Sequence, residues 1–436
     1  MNGTFGRLIA AVVSAALLAA CTGGPASGPT PTPALGGIVG TGDQVIAAVA
    51  RVRADPGDAI LAAEAINDFG LELLRSGTPA GDNAVLSPAS IALALAMTRP
   101  GARGETARQM DDVMRAVASD DHATWLNALE AALGARNGTF QNISNKDAEV
   151  ILRIANAPFA QRDYPWRPEY LDALATRFGV GVRLVDYMTD VEGARREINA
   201  WVEEQTEERI PELLEPGILN ELTRLVLVNA IYLKAPWFKP FNDEATTDAP
   251  FHRLDGSTVT VPTMRGTGGF SYADGDGWWA VELPYAGRDL AMTIIVPDDL
   301  GAFEASLDGA VFSGIVGQLE LSHLFVWLPK FGIETQLKLK DALSELGMPI
   351  AFDPDAADFS GMTTEEQLVI AEVVHQANID VDEEGTEAAA ATAVVIEAVS
   401  MPEEVKVDRP FLFAVRDVPT GAILFLGRVV EPEIRD

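Results

Sequence analysis

The stretch "RLVLVNAIYLKAPW", residues 224–237, constrains the fold of this chain more than any other. It is apolar at nearly every position and rich in β-branched residues. It reads as a central strand of a sheet, covered on both faces. The segments around it carry other periods. "DAILAAEAINDFGLELLRSG" (58–77) has a helical repeat ending near Gly77, and Ser87-Pro88 is a helix-entry signal for "SPASIALALAM". "ARREINAWVEEQTEERIPELL" (194–214) predicts an amphipathic helix running to Pro211. "GWWAVELPY" and "DLAMTIIVPDD" read as strands around a turn at Gly287, and "LFVWLPKFGIE" as another strand. "PFLFAVRDVPTGAILFLGRVV" (410–430) reads as a hairpin turning at Pro419-Thr420-Gly421. Helices come mostly early and strands mostly late. The expected class is α+β, with residues 57–436 as one large domain that no linker or repeat divides.

The residues ahead of it differ. Arg7 precedes the apolar run 8–20, which is too short to span a bilayer comfortably and ends in Leu18-Ala19-Ala20-Cys21. That ending resembles the bacterial lipoprotein cleavage box. The expectation is a signal peptide over 1–20, a lipid on Cys21, and a flexible Gly/Pro/Thr-rich spacer over 21–56. The protein would then be exported and held at the cell surface, touching the membrane only through the lipid on Cys21.

Composition excludes several functions. The chain has 64 acidic residues against 32 basic ones, a net charge of −32. Nucleic acid and anionic membrane surfaces would repel it, so partners are expected to be neutral or basic. Cys21 is the only cysteine, which rules out an intramolecular disulfide. His122, His252, His323 and His375 are scattered without metal-ligand spacing. No metal or cofactor is expected. No GxSxG, GxGxxG or GxxxxGK[ST] pattern occurs, and nothing in the residues points to an enzyme.

The segment 383–404, "EEGTEAAAATAVVIEAVSMPEE", resists assignment. Ala388 to Ala391 favour helix, whereas Val394, Val395 and Ile396 favour strand. As a strand it would place Thr386, Ala388, Ala390 and Thr392 on one uncharged face. The other face would carry Ala389 and Ala391 between Glu387 and Glu397. Residues alone leave both readings open.

"EEGTEAAAAT" (383–392) resembles the hinge of the serpin family. The likeness extends over roughly 57–434, through "NAVLSPASIALALAM", "LVLVNAIYLKAPWFKPF", "VHQANIDVDEEGTEAAAAT" and "VKVDRPFLFAVRDVPTGAILFLGRVVEP". Residues 119–150 match only by position. The resemblance implies the serpin fold: a large central, mainly antiparallel sheet with further sheets, about eight or nine helices, and an exposed reactive loop over 383–404. It implies a monomeric serine protease inhibitor acting as a suicide substrate, with a non-inhibitory family member as the alternative. Glu383, Glu384, Gly385, Thr386, Glu387, Ala388, Ala389, Ala390, Ala391 and Thr392 would form the hinge, whose small side chains suit an inhibitor. Counted from Gly385 and from "EVK" (404–406), the loop is as long as that of the family's plasma elastase inhibitor. The reactive bond then falls at Val399–Ser400, give or take one residue, which suits an elastase-like or subtilisin-like target. Ser87, Ser90, Asn229 and His375 match the family's polar cluster beneath the sheet, with His375 structural. Trp237, Lys330 and Glu383 match the loop entry, and a Lys330–Glu383 ion pair is expected there.

Overall fold

The computed structural model describes residues 38–41, 44–47, 49–116, 119–387 and 402–434. All of them fall in one compact unit, Gly36–Asp436. The described residues begin with a hairpin of β1 (Ile38–Thr41) and β2 (Gln44–Ala47). Next come α1 (Asp58–Gly77), β3 (Ala84–Leu86), α2 (Pro88–Thr98), α3 (Gly104–Val113) and α4 (Ser119–Gly134). Then follow β4 (Gly138–Gln141), β5 (Asp147–Gln161), α5 (Pro168–Ala173), β6 (Val182–Val185), α6 (Val191–Gln205) and β7 (Leu225–Pro236). The strands β8 (Thr247–His252), β9 (Thr258–Gly275), β10 (Trp278–Pro284) and β11 (Leu290–Pro297) lead to α7 (Leu300–Ser306) and α8 (Gly309–Gly317). The chain closes with β12 (Glu320–Pro329), β13 (Phe331–Lys338), α9 (Lys340–Glu345), β14 (Val374–Val381), β15 (Gly385–Thr386), β16 (Glu403–Lys406), β17 (Phe411–Asp417) and β18 (Ile423–Val429).

The class is α+β, with nine α-helices among the described residues. One sheet runs β1-β2-β6-β5-β7-β15-β14-β13, with β4 paired to β5. The other runs β16-β12-β9-β10-β11-β17-β18-β3, with β8 paired to β9. Pairing is antiparallel except at β5–β6, β7–β14 and β12–β16.

The strand β7 is covered on both faces, as its composition demands. Val228 and Ala230 pack with Ile198 and Val202 of α6. Ile231, Leu233 and Ala235 point the other way, into the main core that α1 and α2 also line. Every residue of α2 is buried, which suits a helix apolar on all sides. Ser87 caps it by accepting the Ser90 N–H, and Pro88 occupies the first turn, where its missing N–H costs nothing.

Two expectations need correction. The helix expected to run to Pro211 ends at Gln205, because Glu207 and Glu208 take left-handed φ values of 50° and 65°. The spacer expected over 21–56 is not structureless throughout. Gln44 and Val45 pair with Arg183 and Val182 of β6, and Ala47 is buried in the core. Further on, the Val52 N–H donates to Thr176 O, and Asn127 Nδ2 donates to Val52 O. Composition signalled Gly and Pro, while Ile38, Val39, Val45 and Ile46 supplied the strand formers.

Candidate functional site

The site is a parting in the first sheet. β7 and β14 run parallel and touch as neighbours only at His375↔Asn229 and Gln376↔Ala230. Above this point they separate. At the top the two residues of β15 bridge them: Gly385 pairs with Pro236, and Thr386 with both Ala235 and Val381. Of the hinge, only Glu383 to Glu387 lie among the described residues. Ala388, Ala389, Ala390, Ala391, Thr392, Val399, Ser400 and Cys21 lie outside them. Within the described part of the hinge, Gly385 and Thr386 are strand.

Several polar contacts fix the entry, although one carboxylate oxygen of Glu384 is buried without a hydrogen-bond partner among the described residues. Glu383 receives Lys330 Nζ at 2.7 Å and Thr246 Oγ1 at 2.6 Å. Burial pushes the Glu383 carboxyl up, but these two donors outweigh it and hold it below the usual range. Trp237 donates its backbone N–H to Glu384 O and its indole N–H to Asp382 O, and the Phe241 N–H goes to Glu383 O. Asp382 Oδ1 accepts the N–H groups of Glu384 and Gly385, closing an Asx turn. Gly385 is required here. Its φ is 153°, and a Cβ would stand 2.3 Å from Ala235 O.

The next two side chains leave on opposite faces. Thr386 is buried and meets the Tyr285 hydroxyl at 2.7 Å; the Tyr285 ring is stacked on Trp237 with centroids 4.5 Å apart. Glu387 turns toward the α6 side at φ 51°, where Arg209 Nε lies 3.3 Å from its carboxylate. Arg209 also reaches Asp380 at 3.4 Å, and burial followed by the Glu387 charge pushes Tyr232 up to about 12. The sequence reading put Glu387 on the face opposite Thr386. The structure keeps it there but buries its side chain to 5% exposure beneath Arg209.

Below, the four polar residues named from the sequence meet. His375 is fully buried; Asn229 Oδ1 is 2.7 Å from its Nδ1, and the Ser87 N–H donates to its Nε2 at 3.0 Å. Because Nε2 accepts, Nδ1 carries the proton and donates to Asn229. The ring is therefore neutral, and burial lowers its pKa to about 3. Among the described residues, Ser90 Oγ and Asn229 Nδ2 are buried without a partner.

Sequence reasoning missed Tyr285, Thr246, Arg209 and Asp382. Tyr285 lies in the quoted strand "GWWAVELPY", but nothing local marks it as a hinge contact. Arg209 belongs to the segment read as helix. No group of three or more His, Cys, Asp or Glu residues among the described residues could hold a metal ion.

A family model described as Serpin (serine protease inhibitor) matches residues 64–432. An uncharacterized serpin-like protein of Thermococcus kodakarensis is 40% identical over 377 residues, covering 85% of each chain. The leukocyte elastase inhibitor of Bos taurus is 39% identical over 377 residues, covering 82% of this chain and 95% of its own. The crystal structure of the thermophilic serpin tengpin in the native state superposes with a TM-score of 0.76 at 27% identity. That match covers 88% of this chain and 96% of tengpin.

His375 makes stability pH-dependent with a definite sign. Its folded pKa lies below the ordinary 6.5, so unfolding takes up a proton between the two values. Its contribution is complete above pH 6.5 and is lost as pH falls toward 3. The limiting slope is about 1.4 kcal/mol per pH unit. His122, also buried and lowered to about 4, adds in the same sense. Melting curves recorded from pH 7.5 to 4 should therefore show a shallower pH slope in His375→Gln than in the parent. An unchanged slope contradicts the assignment of a neutral His375.

Proposed function

The chain belongs to the serpin family, and we propose on that footing that it inhibits serine proteases as a suicide substrate, with an elastase-like or subtilisin-like enzyme as its target. One observation carries the reading: β15 already occupies the top of a sheet that is parted below it. A strand begun at both edges needs only continuation. When the register of Thr386 against Ala235 and Val381 is extended down the parting, Thr392 arrives between Asn229 and His375. Insertion must then break their direct hydrogen bond. The threonine hydroxyl offers a partner to Asn229 Nδ2, which lacks one among the described residues.

The chemistry is that of an interrupted hydrolysis. The protease serine attacks the carbonyl of Val399, the bond to Ser400 breaks, and the proton goes to the departing amine of Ser400. Val399 is left as an ester on the enzyme. The freed strand enters the sheet and carries the ester-linked protease with it, away from the geometry that deacylation needs. Ten to twenty new ladder hydrogen bonds, at roughly 0.5–1.5 kcal/mol net each, supply on the order of 10 kcal/mol. That is comparable to the stability of a whole domain. Val399 suits a shallow apolar specificity pocket and does not suit one built for Arg or Lys. The alternative is a serpin-fold protein that is cleaved without trapping its protease.

Incubation with an elastase or with subtilisin separates the two. The inhibitory reading expects a complex that survives boiling in detergent and a released peptide beginning at Ser400. Thr386→Arg would force an unpaired charge beside Tyr285, so it should slow insertion and turn inhibition into simple cleavage. Cleavage of the parent chain without a stable complex contradicts the proposal.

The cell-surface reading is part of the same proposal and rests on Leu18-Ala19-Ala20-Cys21. Mass spectrometry of membrane-derived protein should find a mature N-terminus at a diacylglyceryl-modified Cys21, and Cys21→Ser should release the protein from the membrane. An unmodified N-terminus at another residue contradicts it.

A further inference from the structure

The turn that carries Trp237 also walls a cavity that the inhibitory cycle does not use. Its volume is about 390 Å³, inside the roughly 300–1,000 Å³ of small-ligand sites. It lies among the residues after β7, the β4–β5 turn, and strands β9, β10 and β12. Phe238, Phe270, Leu283 and Pro284 make it apolar. Ile143 and Leu321 also line it, at 50% and 80% exposure. Large apolar side chains exposed around a common hollow are a usual mark of a binding surface.

The charges here run against those of the rest of the chain. Lys239 and Arg288 both line the cavity. Lys239 Nζ donates to the Thr267 carbonyl, and the Arg288 guanidinium lies 3.9 Å from the centre of the Phe238 ring. Among the described residues neither has a carboxylate partner, in a chain where acids outnumber bases 64 to 32. The nearby acids are committed elsewhere. Glu282, which also lines the cavity, accepts from Arg416 at 2.5 Å and from Thr293 at 2.9 Å, and Asp289 pairs with Arg136 at 3.2 Å. Burial holds Lys239 below the usual lysine range, with no acid to offset it.

We propose that this cavity binds an anionic amphiphile, with the apolar body against Phe238, Ile143 and Leu321 and the acid group paired with Lys239 and Arg288. A fatty carboxylate has this chemistry: the chain buries apolar surface, and the headgroup supplies the anion that two cations lack. Binding would also bear on the loop entry, since the adjacent Trp237 holds the carbonyls of Asp382 and Glu384. That consequence rests on the inhibitory reading; the binding does not.

Calorimetric titration of the intact protein with octanoate, and with 1-octanol as the uncharged control, tests the site without any protease. Octanoate should bind saturably at one site and at least roughly tenfold more tightly than octanol. The double variant Lys239→Gln/Arg288→Gln should bring octanoate to parity with octanol while leaving octanol unchanged. Leu321→Glu, made at an exposed position that folding does not depend on, should weaken octanoate by a similar factor. Parity of the two ligands in the parent, titration without saturation, or octanoate affinity unchanged in both variants overturns the proposal.

Discussion

The structure depends on one join: the hydrogen bond from His375 to Asn229, at the point where β7 and β14 touch as parallel neighbours. A parallel contact of two residue pairs is a weak seam between the ten-pair β5–β7 ladder on one side and the eight-pair β13–β14 ladder on the other. The seam is held by side chains more than by backbone. Asn229 belongs to one strand and His375 to the other, and Ser87 at the start of α2 binds the imidazole from below. A neutral, fully buried histidine suits that task, because each ring nitrogen has one definite role. Under the proposed mechanism it closes the sheet with a bond that an arriving threonine hydroxyl would take over.

Everything above the seam is poised between opening and closing. Gly385 brings the backbone close to Ala235 and Pro236, Thr386 fills the space over Tyr285, and small residues follow it in the sequence. Against further entry stand contacts made outside the strand. Lys330 and Thr246 hold Glu383, and Arg209 grips Glu387 and Asp380 at once. Arg209 lies just beyond α6, the helix that packs on β7, so the clamp joins the cover of the sheet to the hinge. Part-buried ion pairs of this kind gain little net free energy but are costly to break one partner at a time. That asymmetry suits the proposed mechanism, in which the state persists until the loop is cut.

The sequence spoke clearly where a residue's role is set by its own chemistry and its immediate neighbours. The two-faced apolar run became β7, Ser87-Pro88 opened α2, and Gly385-Thr386 became strand. Lys330 and Glu383, named together from the sequence, stand 2.7 Å apart. What stayed hidden depends on folding over long distances. Tyr285 reaches Thr386 across 101 residues of chain, and Thr246 reaches Glu383 across 137. No local period encodes such pairs. The early end of α6 came from two consecutive left-handed glutamates in a segment of good helix formers. The hairpin at 38–47 was masked by the Gly and Pro around it, although its β-branched residues were in plain view. The cation-lined cavity gathers residues from five separate segments and has no signature along the chain.

The central claim is that this sheet is incomplete and gains free energy by accepting the loop as a strand. Comparing the melting temperature of the intact protein with that of the protein nicked once within residues 388–401 tests it directly. If a nicked loop inserts, the nicked form should melt higher by well over ~10 °C, because on the order of 10 kcal/mol of new strand pairing has been added. A nicked form that melts at or below the temperature of the intact protein would contradict the account.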